Sequence, residues 1–177
     1  DNAKYKGAVS QVLDFDDDIK LGEILSRNFN TTHKNLLNSF YDFLFALVTR
    51  SHRSLIKHGS MMIHVDRRIS SIDHLAHWVE MRSEGFIESL QDLTKVDHVL
   101  AELNSRYRLW LKRSKSLISD LSYPEIICKE DLLSELDKLQ VISLHSSNSG
   151  NLEHQTHQLV YPKTVTKENR KNYIIVG

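Results

Sequence analysis

From Thr32 onward the apolar positions recur in three- and four-residue steps. Leu36, Leu37, Phe40, Phe43, Leu44, Leu47, Val48, Leu55 and Ile56 share one face of a helix. Tyr41 and Phe45 widen that stripe until residues 40–48 are apolar nearly all round, as in a helix that is central or meets a partner on its second face. Gly59 is the first candidate break, read as a C-cap or a tolerated mid-helix residue. The pattern resumes through Ile63, Ile69, Ile72, Leu75, Ala76, Val79, Phe86, Ile87 and Leu90, with Gly85 weakening the helix without ending it. Thr94-Lys95-Val96-Asp97 resembles a capping box and opens a third long helix, carrying Val99, Leu100, Leu103, Tyr107, Trp110, Leu111, Leu117, Ile118 and Leu121. Pro124 stops it. The last helix is predicted from Lys129 to about Ser143, with Leu132, Leu133, Leu136, Leu139 and Ile142 as its apolar face and acids in its first turn.

The two ends differ from this middle. Asp14-Phe15-Asp16-Asp17-Asp18 would repel itself in mid-helix but suits the positive end of a short helix predicted from Asp18 to Phe29. Thr31 or Thr32 then caps the next one. After Leu144 the stretch His145 to Asn151 is polar and reads as a linker. Leu159-Val160-Tyr161 and Tyr173-Ile174-Ile175-Val176 are β-prone, and they suit a hairpin, an extended tail docked on the helices, or a strand added to a partner's sheet. The expected fold is therefore all-α. It is an elongated antiparallel bundle of about four principal helices plus the short N-terminal one, occupying residues 1–144, then a linker over 145–157 and a tail over 158–177.

Composition supports long uninterrupted elements. Six glycines and two prolines in 177 residues are far below the average usage of about 12% for the pair. Folds that turn every ten residues or so are disfavoured. No apolar run approaches a membrane span, and no secretory signal is present. The lone Cys128 cannot form an internal disulfide, which fits a reducing cytosolic or nuclear setting, and a cytoplasmic location, at most peripheral to a membrane, is expected. The chain begins at Asp1 and reads as a piece of a longer protein.

Catalytic spacings are absent. The glycines are scattered, so neither a dinucleotide-binding GxGxxG nor a phosphate-cradling Walker loop occurs, and GxSxG and HExxH are missing. No histidine has a Glu three residues before it, against the pattern of di-metal bundles. His74 and His77, with Asp73 and Glu80 nearby, share a helical face, but no matching pair exists on another helix to complete a metal site. Cys128 reads as a small buried side chain near a helix start, and His52, His58 and His64, set among bases, as a potential pH-sensitive surface. No enzyme activity, metal or cofactor is expected.

Charge is more informative. Lys+Arg and Asp+Glu both number 23, but they cancel by segregation. Five bases, Arg106, Arg108, Lys112, Arg113 and Lys115, lie between residues 106 and 115 without an acid, and six acids with one Lys lie between Asp120 and Asp137. Residues 50–68 carry five bases and one Asp. The strip at 106–115 is read first as the wet side of a core helix, then as a site for an acidic protein partner, then for lipid or nucleic acid. The function expected is a non-catalytic adaptor or scaffold domain for tethering or anchoring. It would bind a partner helix or coiled coil through an apolar groove built from Phe40, Tyr41, Phe43 and Phe45. The alternative is a peripheral domain lying on anionic lipid through its basic strips. Nucleic acid is disfavoured as a partner, and a homodimer would be one way to bury a surplus apolar face.

Overall fold

The longest apolar stripe forms α1, Lys34–His52, which buries Leu36, Phe40, Leu44, Phe45, Leu47 and Val48. The computed structural model describes residues 34–53, 57–64, 69–118, 123–144, 164–166 and 168–177. The N-terminal helix, the Thr31 or Thr32 cap, the linker over 145–157 and the segment Leu159-Val160-Tyr161 lie outside them. After α1 come β1 (Gly59–Ile63), α2 (Ile69–Gln91), α3 (Val96–Ile118), α4 (Lys129–Leu136), β2 (Leu139–Ser143) and β3 (Asn172–Val176).

The all-α expectation is wrong: among the described residues four helices are joined by a three-stranded parallel sheet of order β1-β3-β2, so the fold is mixed α/β. Two stretches assigned to helices are strands. Gly59–Ile63 pairs with β3 in the register Gly59 to Asn172 through Ile63 to Val176, and Leu139–Ser143 pairs with the other edge, Leu139 to Asn172 through Ser143 to Val176. Leu139 and Ile142 stand three apart and so imitate a helical face. The five residues Leu-Gln-Val-Ile-Ser adopt the β-branched preference instead because an apolar strand waits beside them. That strand is Tyr173–Val176 with Asn172. All five of its residues are buried, the near-continuous apolar signature of a central parallel strand. Both its edges are taken, so it is not a hairpin arm.

Parallel strands need long crossovers. Between β1 and β2 the crossover contains α2, α3 and α4. α2 packs on β2 and β3 and against α3 and α4, while α1 packs against α3 and α4. The ladder continues past the strand ends, with Gly177 N–H donating to the Ile63 carbonyl at 3.0 Å and Asn172 N–H to that of Lys138 at 2.9 Å. Gly59 is set by close approach, because a Cβ there would collide with the Leu47 side chain and stand 3.1 Å from Asn172 Oδ1.

The α2–α3 turn is organised by Asp92 rather than by a box starting at Thr94. Asp92 Oδ1 accepts from the Thr94 N–H at 2.9 Å and its hydroxyl at 2.6 Å, and Oδ2 pairs with Lys95 at 2.8 Å. Those donors hold the Asp92 carboxyl well below the ordinary range. Among the described residues, no helix is long and apolar enough to cross a membrane.

Candidate functional site

The aromatic run of α1 is divided between interior and surface. Phe40 and Phe45 are 5% and 1% exposed and belong to the core. Phe45 meets Tyr107 edge-on at 5.4 Å and lies 6.1 Å from Trp110, and Tyr107 stacks on Trp110 at 5.8 Å. The Tyr107 hydroxyl donates to the Pro124 carbonyl at 2.9 Å, so this buried phenol is satisfied. Phe43 is half-buried against the same core. Of the four residues expected to receive a partner, Tyr41 is the one whose ring reaches a surface groove as more than its floor. It packs against Phe86 at 5.9 Å and carries the Arg106 guanidinium 5.1 Å above its face.

That groove runs between α1 and α3 and has a volume of about 420 Å³. α1 supplies Asn38, Tyr41, Asp42 and Phe45, and α3 supplies Arg106, Leu109, Lys112 and Arg113. Helical spacing makes the wall: 106, 109 and 113 recur at three and four residues and so stand on one face of α3. Arg106 is held at both ends of its guanidinium, donating to Glu102 Oε1 at 3.1 and 2.9 Å and to Asn38 Oδ1 at 3.2 Å. Arg113 donates to Asp42 Oδ1 at 3.0 Å. Lys112 is exposed and makes no ion pair among the described residues.

Burial raises the Tyr41 phenol against the opposing effect of Arg106, and burial raises the Asp42 carboxyl although Arg113 pulls it down. Surface pairs of this kind contribute about 0–1 kcal/mol each, so an incoming anion can exchange for Asp42 or Glu102 at little cost. Arg108 is exposed but does not line the groove. Lys115 belongs to the helical backbone of α3, and its side chain lies outside those described.

A second polar centre was not anticipated from the sequence. Glu135 of α4 and Arg170, 1% and 4% exposed, are paired through Arg170 Nη2 and Glu135 Oε1. Asn172 Nδ2 donates at 3.0 Å to both the Oε2 and the backbone carbonyl of Glu135, while its buried Oδ1 faces Gly59. Arg50, at the end of α1, donates to the carbonyls of Lys57 and His58 at 2.6 and 3.0 Å. Burial, with Arg170 adding to it and Glu135 opposing, lowers its proton affinity. Lys171 N–H donates to His58 Nδ1 at 3.1 Å. This network pins the starts of β1 and β3 to α1 and α4. Its sequence signal was Glu135 sitting on the apolar stripe of Leu132 and Leu136.

Cys128 is exposed, not buried, and caps α4. Its thiol donates to Asp131 Oδ2 at 2.8 Å, and the same oxygen receives His52 Nε2 at 3.0 Å. Burial and the adjacent Asp131 carboxylate push the thiol up, away from the thiolate a nucleophile requires. His52 and His58 make separate contacts, the first with Asp131 Oδ2 and the second with the Lys171 N–H. His77 lies 3.8 Å from Glu80, and among the described residues no three His, Cys, Asp or Glu side chains are grouped to hold a metal ion.

No curated protein and no solved structure matches the chain. The family that does match, the Z1 domain, covers residues 35–177, from the first turn of α1 through the central strand, and so includes both walls of the groove. On that match over most of its length, the chain belongs to the Z1 domain family.

Proposed function

We propose that this chain is a non-catalytic adaptor domain that holds an acidic segment of a partner protein in the groove between α1 and α3, and that it works in the cytoplasm. The supporting observation is the lining: Arg106, Lys112 and Arg113 with one carboxylate, Asp42, among them and Glu102 pairing Arg106 from the same helix, while Tyr41 and Leu109 offer apolar contact between them. An extended or helical peptide bearing acids beside an apolar side chain satisfies both requirements. This differs from a purely apolar groove, since Phe40 and Phe45 are spoken for by the core.

A second reading draws on Leu109, which is 58% exposed beside Arg108, Lys112 and Arg113, the composition of a helix lying on anionic lipid. The concave shape favours a chain over a flat bilayer. A fluorescent peptide alternating Glu and Leu separates the two. Anisotropy should report binding that weakens with salt, and Lys112→Glu with Arg113→Glu should reduce the affinity about tenfold or more with an unchanged melting temperature. Absence of binding at about 50 mM salt, or indifference to the two substitutions, would overturn the adaptor reading. Sedimentation with anionic vesicles but no peptide binding would move the assignment to the lipid surface.

A further inference from the structure

We infer that the groove's resident occupant is a segment of this chain itself, Asp14-Phe15-Asp16-Asp17-Asp18, which a partner's acidic segment must displace. The inference rests on the groove reading above and extends it to regulation.

Charge complementarity is the first argument. Four carboxylates and one aromatic ring in five residues mirror the groove, where Arg106, Lys112 and Arg113 flank the Tyr41 ring and the exposed Leu109. The other acid-rich stretch, residues 120–137, is already engaged in part. Glu135 is buried on Arg170 and Asn172, and Asp131 holds His52 and Cys128. Arg106 and Arg113 meet Glu102 and Asp42 through exposed pairs, so the segment's carboxylates would exchange for those and add Lys112, which makes no ion pair among the described residues.

Reach is the second. Asp18 precedes Lys34 by 16 positions. That length spans at most about 55 Å when extended and about 24 Å when helical. Asn38 stands one turn into α1, about 6 Å along its axis from Lys34, so either geometry allows the segment to arrive. A tether this short sets an effective concentration in the millimolar range, so even a weak contact between several charge pairs would be populated. The segment precedes the matched domain, which begins at residue 35. It is thus placed to act on the domain's groove without belonging to its core.

The experiment compares the full chain with a variant carrying Asp14→Asn, Asp16→Asn, Asp17→Asn and Asp18→Asn, using the same Glu-Leu peptide as probe. The variant should bind the probe about tenfold more tightly, because the competing tethered acids are gone. Adding Arg113→Glu should erase that difference. In amide NMR spectra at fixed protein concentration, the signals of Tyr41 and Leu109 should shift between wild type and variant.

Equal or weaker probe binding by the variant would overturn the inference and leave the adaptor reading intact. Failure of both proteins to bind the probe would sink the two together. Shifts that grow with protein concentration would place the segment in a second copy's groove and overturn the intramolecular form.

Discussion

Glu135 is 1% exposed, and its carboxylate receives hydrogen bonds from Arg170 and Asn172. Removing one partner of a buried pair is more damaging than never having had it, since the remaining ion keeps its desolvation cost. Glu135→Gln is expected to lower unfolding free energy by about 3–5 kcal/mol, measured by urea titration, whereas a Glu→Gln change at exposed Glu125 should stay within about 0.5 kcal/mol. Equal effects at the two positions would contradict the network. In the sequence Glu135 is visible as an acid on an apolar stripe. Its partner Arg170 is not, because 35 residues separate them and many other bases are on offer. The aromatic residues divide in the same way: helical spacing identified Phe40, Phe43 and Phe45 as apolar anchors, but which faced inward depended on where Tyr107 and Trp110 arrived.

At the scale of elements, one carboxylate oxygen adds a polar tie to the packing of α1 on α4. Asp131 Oδ2 accepts from Cys128 at the cap of α4 and contacts His52 at the end of α1, tying a helix start to a helix finish. Burial raises the Asp131 carboxyl, but the Cys128 and His52 contacts outweigh it and hold the group below its ordinary value. A carboxyl depressed on folding stabilises the fold above its unfolded pKa of about 3.9 and loses that contribution as pH falls through the folded value. Thermal melts between about pH 5 and pH 2 should show wild type losing more stability than Asp131→Asn, with the gap closing at the acid end. Parallel curves would remove Asp131 from the account. The elements themselves were legible where apolar spacing runs long, as in α1, α2 and α3. They were misread at β1 and β2, where five residues are too few for period to separate strand from helix.

For the whole molecule, the decisive event is the insertion of β3 between β1 and β2. Among the described residues it is the only strand that either edge strand pairs with, and it lies 113 positions after β1 in the register Gly59 to Asn172. Deleting residues 164–177 is therefore expected to abolish a cooperative melting transition followed by circular dichroism, rather than trim a dispensable tail. Survival of a sharp transition would show that the helices form an independent bundle. Such distant pairing also places folding among the slower, millisecond-to-second class. Balanced net charge acquires its meaning at this scale too, because the fold sets the bases of α3 beside the aromatic ring of Tyr41 and leaves the acids of residues 14–18 upstream of the matched domain.

By itself the sequence determined the long helices, the absence of catalytic spacings, the basic strip and the β-prone character of Tyr173–Val176, all properties written in local periodicity or composition. Only the tertiary structure decided that those last residues form the centre of a sheet, that Glu135 meets Arg170, and that Arg106, Lys112 and Arg113 face Tyr41 across a groove. Each of these joins residues far apart in the chain, and pairing free energy between distant segments leaves no mark in the spacing of either one alone.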